Sequence, residues 1–257
     1  MKILVCIKPV PDSESVIAID DSKRWIKESD LFRMNRFDEF ALEEALSIKD
    51  RDKTVTVDVI SVGSAASKDI IKRALGMGAD SGILISTDET GYISPFITAG
   101  YIASYVKEKT YDLIFTGVMS EDYMQGQVGP LIAEMLERSF ASFVVAQKIL
   151  PDSKGFYIER EVEGGVIESV KISIPAILTI HVGINKPRYP SLSNMLRAGR
   201  TEINIIDSNL MNRPEPKQKI MRLAIPEKKR KGVVLSGSVK EKAEKLFHIL
   251  SQKAFIN

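Results

Sequence analysis

The chain has 257 residues, of which 44% are hydrophobic and 27% charged, with a formal net charge of +2. That balance is that of a globular protein with a sizeable core, and it excludes a disordered or collagen-like chain. No apolar run is long enough to span a bilayer. One cysteine, Cys6, excludes an internal disulfide and fits a reducing cytoplasm, and with only His181 and His248 besides, no zinc, haem or iron–sulfur cluster is expected.

Residues 2–8 (KILVCIK) read as a strand covered on both faces, not as a signal peptide, and Cys6 within it reads as packing. Pro9 and Pro11 end it and open a loop that carries Trp25. A helix follows from Asn35, an expected N-cap, with Asp38 in the acid-favouring first turn. Its apolar face is Phe37, Ala41, Leu42, Ala45, Leu46 and Ile48; Glu39, Glu43 and Glu44 are expected on the water side.

A second strand, 54–62, ends at Gly63. A helix runs from there to Gly78, a fitting C-cap, and residues 82–86 form a third strand. A helix over 95–107 and a strand over 112–117 complete four βα repeats, which predicts a parallel, doubly wound sheet. Ligands in such sheets sit at the carboxyl ends of the strands, so the loops after Lys8, Val62 and Gly117, with the Asn35 helix, mark the crevice. Gly117 then feeds a small-residue loop and a helix opening at Gly129-Pro130. Glycines and free first-turn N–H groups suit phosphate, and Pro130 costs nothing in a first turn; an ordinary βα loop is the other reading. Neither GxGxxG nor GxxxxGK[ST] is present.

The second half changes character. Residues 140–149, 156–162 and 167–180 are expected as strands extending the sheet with antiparallel members, joined by turns at 152–155 and 163–165. The segment 185–200 then reads as a polar, basic loop carrying Leu192, Met195 and Leu196, which either pack beneath it or anchor a docking surface. Residues 209–247 hold 11 Lys/Arg and 4 Asp/Glu. Without interleaved aromatics, and with Pro214, Pro216 and Pro226, this segment reads as an extended arm on an acidic partner protein at least as well as a nucleic-acid binder. A last helix over 239–252 has an apolar face of Val239, Ala243, Leu246, Phe247 and Leu250. The expected division is 1–208 for a nucleotide-binding α/β domain and 209–257 for the arm and helix.

MNRFDEFALEEAL, RALGMGAD, GQVGPLIAEML, the EREVEGG turn, IPAILTI and NKPRYPSLSNMLRA occur in this order, and over residues 2 to about 205 the chain resembles the electron transfer flavoprotein beta subunit. The resemblance implies a Rossmann-like sheet of the adenine nucleotide alpha hydrolase type. It also implies a heterodimer whose alpha subunit holds a redox-active FAD, and a structural adenine nucleotide, usually AMP, in this subunit. Carried over by position, the nucleotide contacts are Cys6, Asn35, Arg36, Phe37, Asp38, Val62, and the run Asp122, Tyr123, Met124, Gln125, Gly126, Gln127, Val128, Gly129, Pro130, Leu131 and Ile132. The phosphate would meet the N–H groups of Gln127 to Gly129, and Asp122 would hold a hydroxyl or amine, or cap the loop.

NKPRYPSLSNMLRA resembles the recognition loop that docks on acyl-CoA dehydrogenase-type flavoenzymes. Leu192 would be the anchor, Arg188 and Tyr189 would shape the loop, and Met195 accompanies them. Glu161 would pair with an alpha-subunit arginine, or is simply one charge on a strand edge. The chain departs from the family in Arg36, where many members have proline, and in Ser13, where respiratory members have a tyrosine near the flavin. Electron-bifurcating members place a second FAD where others hold AMP and tend to carry a DGDT-like run, whereas this chain has Asp122 to Gly126 as DYMQG; AMP is the expected occupant and a second FAD the alternative. A non-enzymatic carrier is thus expected. A hydrolase or ligase of the superfamily lacks its HxGH or SGGxDS loop here, and a nucleotide-sensing module of stress-protein type leaves the NKPRY segment and the basic arm without a purpose.

Overall fold

The computed structural model describes residues 1–12, 14–22, 25–26, 32–88, 91–150, 154–212, 214–226 and 232–252; Ser13 and Asp152 lie outside them. The first half contains β1 (Lys2–Cys6), β2 (Pro9–Pro11), β3 (Phe32–Met34), α1 (Arg36–Arg51), β4 (Thr56–Gly63), α2 (Ser67–Met77), β5 (Ser81–Ser86), α3 (Pro95–Lys107) and β6 (Leu113–Gly117). The second contains α4 (Val128–Leu136), β7 (Ser139–Ile149), β8 (Gly155–Val162), β9 (Val166–Ser173), β10 (Ala176–Ile180), α5 (Leu192–Arg200), β11 (Asn204–Asp207) and α6 (Val239–Gln252). The chain divides into two compact units, Met1–Leu223 and Ala224–Asn257.

In the first unit a nine-stranded sheet has the order β11-β5-β4-β1-β6-β10-β7-β8-β9. From β11 to β7 neighbouring strands are parallel, and β8 alone runs against them, antiparallel to both β7 and β9. The continuous apolar runs of β1, β6 and β10 are buried on both faces, as parallel strands between helix layers must be. One layer, α1 and α2, closes over Ile3, Val5, Val57, Val59 and Phe115. The other, α3 and α4, closes over Leu4, Ile60, Ile114 and Ile177. The doubly wound α/β architecture is therefore the one expected.

Several details differ. The apolar stretch expected as one strand over 167–180 is two. β9 ends at Ser173, and the chain re-enters the sheet at Ala176 as β10, between β6 and β7. Pro175 has no N–H to give a ladder, and the change from the exposed VIESVKIS to the fully buried AILTI marks the break. β7 is consequently parallel to β10 rather than one of a wholly antiparallel set. The region read as a polar loop contains α5, whose cap is the Ser191 hydroxyl, accepting from the Asn194 N–H at 3.2 Å. β11 and the small antiparallel β2–β3 pair are strands that the sequence pattern does not announce.

In the second unit α6 opens with a reciprocal capping box. The Ser238 N–H donates to Glu241 Oε2 at 2.7 Å, and the Glu241 N–H donates to Ser238 Oγ at 3.3 Å. Val239 and Phe247 on its apolar face are exposed.

Candidate functional site: a crevice between two helix N-termini

Winding reverses at β1. From β1 the chain proceeds through α1 and α2 to β4 and β5, then crosses the other face by α3 to β6, on the opposite side of β1. A crevice at the carboxyl ends of β1 and β6 is the consequence. Its edges are the N-terminus of α1 and the 118–127 loop that leads into α4.

Asp38 holds these edges together. Its carboxylate accepts the Lys8 N–H at 2.8 Å and the Gly117 N–H at 3.1 Å, tying the ends of β1 and β6 to the first turn of α1. Burial pushes its pKa up to about 7, although these N–H groups, the Asn35 side chain and the Lys8 charge favour the anion. Residue 117 must be glycine, because a Cβ there would run into the Asp38 carboxylate and Phe37.

Asn35 occupies the N-cap position without capping. Its side chain instead crosses to the 118–127 loop, donating to the Met119 carbonyl at 2.9 Å and accepting the Glu121 N–H at 3.1 Å. The cap comes from Glu121, which accepts the Arg36 N–H at 3.1 Å and pairs with Arg33 at 3.0 Å. A distant carboxylate thus supplies the negative charge that the helix dipole favours.

Beyond Glu121, both Asp122 oxygens accept from Lys8 Nζ, at 2.6 and 2.8 Å, and Lys8 Nζ lies 3.4 Å from the centroid of the Tyr123 ring. Burial lowers the Lys8 pKa while Asp122 and Asp38 oppose the shift. Trp25 and Tyr92 pack on Tyr123 with centroids 5.4 and 5.1 Å away. Gln218 joins Tyr92 and Gln127 at 3.0 Å each, and Pro214 lies against Gly100, so residues 214–218 of the expected arm rest on this unit.

The α4 N-terminus follows. By helix geometry its first amides, Gln127 to Gly129, have no intrahelical acceptor, and Pro130 contributes none. A Cβ on Gly129 would strike the Thr179 methyl and the Thr116 hydroxyl, so the helix sits as close to β6 and β10 as a backbone can. Beside this turn is a cavity of about 330 Å³, bordered by Met119, Met124, Gly126, Pro130, Phe140 and Phe143. The two phenylalanines stand at i and i+3, which in a regular strand places them on opposite faces. A bulge brings both to the cavity: Phe143 has φ +56°, its N–H donates to Thr179 Oγ1 at 3.1 Å, and its ring stacks on His181 at 5.6 Å. Sequence periodicity missed Phe140, Phe143 and Thr179, because nothing local marks a non-glycine residue for a positive φ.

Asn35, Arg36, Phe37, Asp38, Gly117, Asp122, Tyr123 and Gln127 to Pro130 therefore converge on the crevice, and Met124, Gln125 and Gly126 reach the neighbouring cavity. Cys6 is buried at the end of β1 and its thiol pKa is raised by burial and then by Asp38, which fits packing and not reactivity. Val62 and Leu131 pack against the α3–α4 core, and Ile132 is fully buried in it. No cluster of metal-ligating type occurs among the described residues. The donor set fits an adenylate: first-turn amides, a glycine with no room for a side chain, and buried Ser61 and Ser67 hydroxyls near the end of β4 that have no hydrogen-bond partner among the described residues.

The second candidate surface is the 185–200 segment. Tyr189 and Leu192 are 86% and 78% exposed, and Leu196 is exposed beside them. Met195 turns inward, its sulfur against Gly76 of α2. Arg188 donates from Nε and Nη2 to the Glu43 carboxylate, both at 2.9 Å, and from Nη2 to Asp50 at 2.8 Å. Glu43 and Glu44, expected on the water face of α1, are both buried: Glu44 accepts from Gln147 at 2.6 Å and Asn185 at 2.9 Å. Glu161, at the end of β8, makes no ion pair among the described residues.

A doubly wound sheet whose switch point lies between two helix N-termini defines a Rossmann-like α/β protein. The model of the electron transfer flavoprotein domain matches residues 24–210. The chain is 31% identical to the electron transfer flavoprotein subunit beta of Methylophilus methylotrophus, over 98% of each chain. It is 31% identical to that of Bacillus subtilis over 99% of each, and 35% identical to that of Bradyrhizobium diazoefficiens over 79% of this chain and 80% of the relative. This chain belongs to the electron transfer flavoprotein beta subunit family. No helix among the described residues is long and apolar enough to cross a membrane.

Proposed function

We propose that this chain is the non-enzymatic half of a cytoplasmic heterodimer, in which an alpha subunit carries FAD and this subunit carries a structural AMP. The FAD, when bound, supplies the one- and two-electron chemistry. This chain's residues bind, orient and dock. The observation that carries the nucleotide reading is the opening turn of α4, where Gly129 brings free amides against β6 and β10 with no space for a side chain. Asp38, Asn35 and Glu121 brace the opposite wall, and Asp122 and Tyr123 are held over it by Lys8 and the Trp25–Tyr92 pair.

Electrons reach or leave the complex through an acyl-CoA dehydrogenase-type flavoenzyme that seats Leu192 in an apolar pocket. The support is the exposure of Leu192 and Tyr189 on a segment whose backbone is otherwise well anchored. A small anchor gives weak, quickly exchanging attachment, as a carrier requires. Glu161 faces the alpha subunit, and residues 209–257, apart from 214–218 that rest on this chain's own sheet unit, extend along it without contacting nucleic acid. Small molecules released from the purified heterodimer, identified by mass spectrometry, test the reading: AMP with one FAD is expected, two FAD would make this an electron-bifurcating relative, and the absence of any adenylate would overturn the nucleotide site.

A further inference from the structure

We propose that Glu43 is the positioning residue of the docking segment, a buried carboxylate that fixes the backbone beneath Leu192 without itself reaching a partner. This rests on the reading of Leu192 as the docking anchor. Glu43 lies on the second turn of α1 with its side chain only 8% exposed, where an unpaired carboxylate would be costly. Its oxygens are taken up chiefly by Arg188, with the Ser47 hydroxyl donating to Oε1 at 3.3 Å besides. Oε2 accepts the Arg188 backbone N–H at 3.0 Å and Nε at 2.9 Å, and Oε1 accepts Nη2 at 2.9 Å. One carboxylate thereby fixes the guanidinium along its edge and the main chain at the same residue, a bidentate geometry that lysine cannot reproduce.

The remaining anchors flank this one. Asn185 donates to the Phe40 carbonyl at 3.0 Å and to Glu44 at 2.9 Å, and Asp50 holds the far side of Arg188. Downstream, Met195 fills the space over Gly76, and Lys72 Nζ donates to the Gly199 and Thr201 carbonyls. Between the anchors stand Tyr189 and Leu192, the exposed large hydrophobic side chains of this stretch. A knob on a fixed backbone loses less conformational freedom on docking than one on a loose loop. The ion pair thus sets docking strength from a position the partner does not touch.

The test uses the heterodimer, with an acyl-CoA dehydrogenase as electron donor. Glu43→Gln and Arg188→Lys should each raise the KM for the dehydrogenase about tenfold while kcat, flavin and nucleotide content hold. Amide exchange should accelerate over residues 186–196 and stay unchanged in the sheet. Arg188→Lys serves where Glu43→Gln fails to fold, since it leaves α1 intact. Unchanged KM in these variants, with a raised KM in Leu192→Ala, overturns the positioning role alone. Exchange accelerated equally in sheet and segment also overturns it, by reducing the pair to general stability. Unchanged KM in Leu192→Ala as well overturns the docking reading and this proposal with it.

Discussion

The Gly117 N–H points at the Asp38 carboxylate, 3.1 Å from Oδ1, and so links the last residue of β6 to the first turn of α1. Each residue explains the other. The buried carboxylate needs donors, and only a glycine lets helix and strand approach closely enough to provide one.

This buried acid makes stability depend on pH in a direction opposite to that of a salt-bridged carboxylate. Its pKa rises on folding from 3.8 to about 7, so the folded chain holds a proton that the unfolded chain releases. The contribution of Asp38 is therefore full below about pH 4 and falls as pH rises to about 7, by on the order of a few kcal/mol. Asp38→Asn abolishes the titration at the fixed cost of setting an amide donor against a backbone N–H, about 1–3 kcal/mol. Urea unfolding of both proteins across this range should show the advantage of the native residue shrinking as pH rises; a constant difference would contradict the assignment.

Gly129→Ala pits two effects against each other. Alanine gains about 1 kcal/mol of helix propensity, but its Cβ collides with Thr179 and Thr116, and overpacking costs about 1–3 kcal/mol. The net expectation is a lower melting temperature and a heterodimer depleted of nucleotide, read by acid extraction and chromatography. Gly199→Ala, on α5 with nothing within 4 Å, is the control and should be neutral or slightly stabilising.

Leu192→Ala should leave the unfolding midpoint within about 0.5 kcal/mol of the parent, because the side chain is 78% exposed. Electron transfer with the dehydrogenase should slow at low partner concentration and recover at high concentration. A stopped-flow titration separates the two regimes.

Removal of Ala224–Asn257 takes away a whole compact unit with an exposed apolar helix face and leaves Met1–Leu223 with its own core. The truncated chain should keep the far-ultraviolet spectrum of its α/β sheet and lose affinity for the alpha subunit. Gel filtration of the mixture checks this; co-elution undiminished at low concentration would refute it.

The sequence was legible wherever a residue's environment follows from its neighbours. Buried parallel strands appear as unbroken apolar runs, and Gly78 and Pro95 punctuate the helices as propensity requires. The cap signal of α5 is present in Ser191, with apolar residues at 192, 195 and 196, but the polar composition of the segment predicts a loop and hides the helix. Glu43 and Glu44 misled for a different reason: helical periodicity identifies a polar face but not what later covers it.

By itself, then, the sequence determined the βα alternation, the strand ends that bound the crevice and the kinship with electron transfer flavoprotein beta subunits. Only the tertiary structure decided that β10 inserts between β6 and β7, that Glu121 caps α1 in place of Asn35, and that Arg188 buries Glu43. Periodicity and propensity are local. These pairings close between residues far apart in the chain, where the cost of leaving a polar group dry selects the partner.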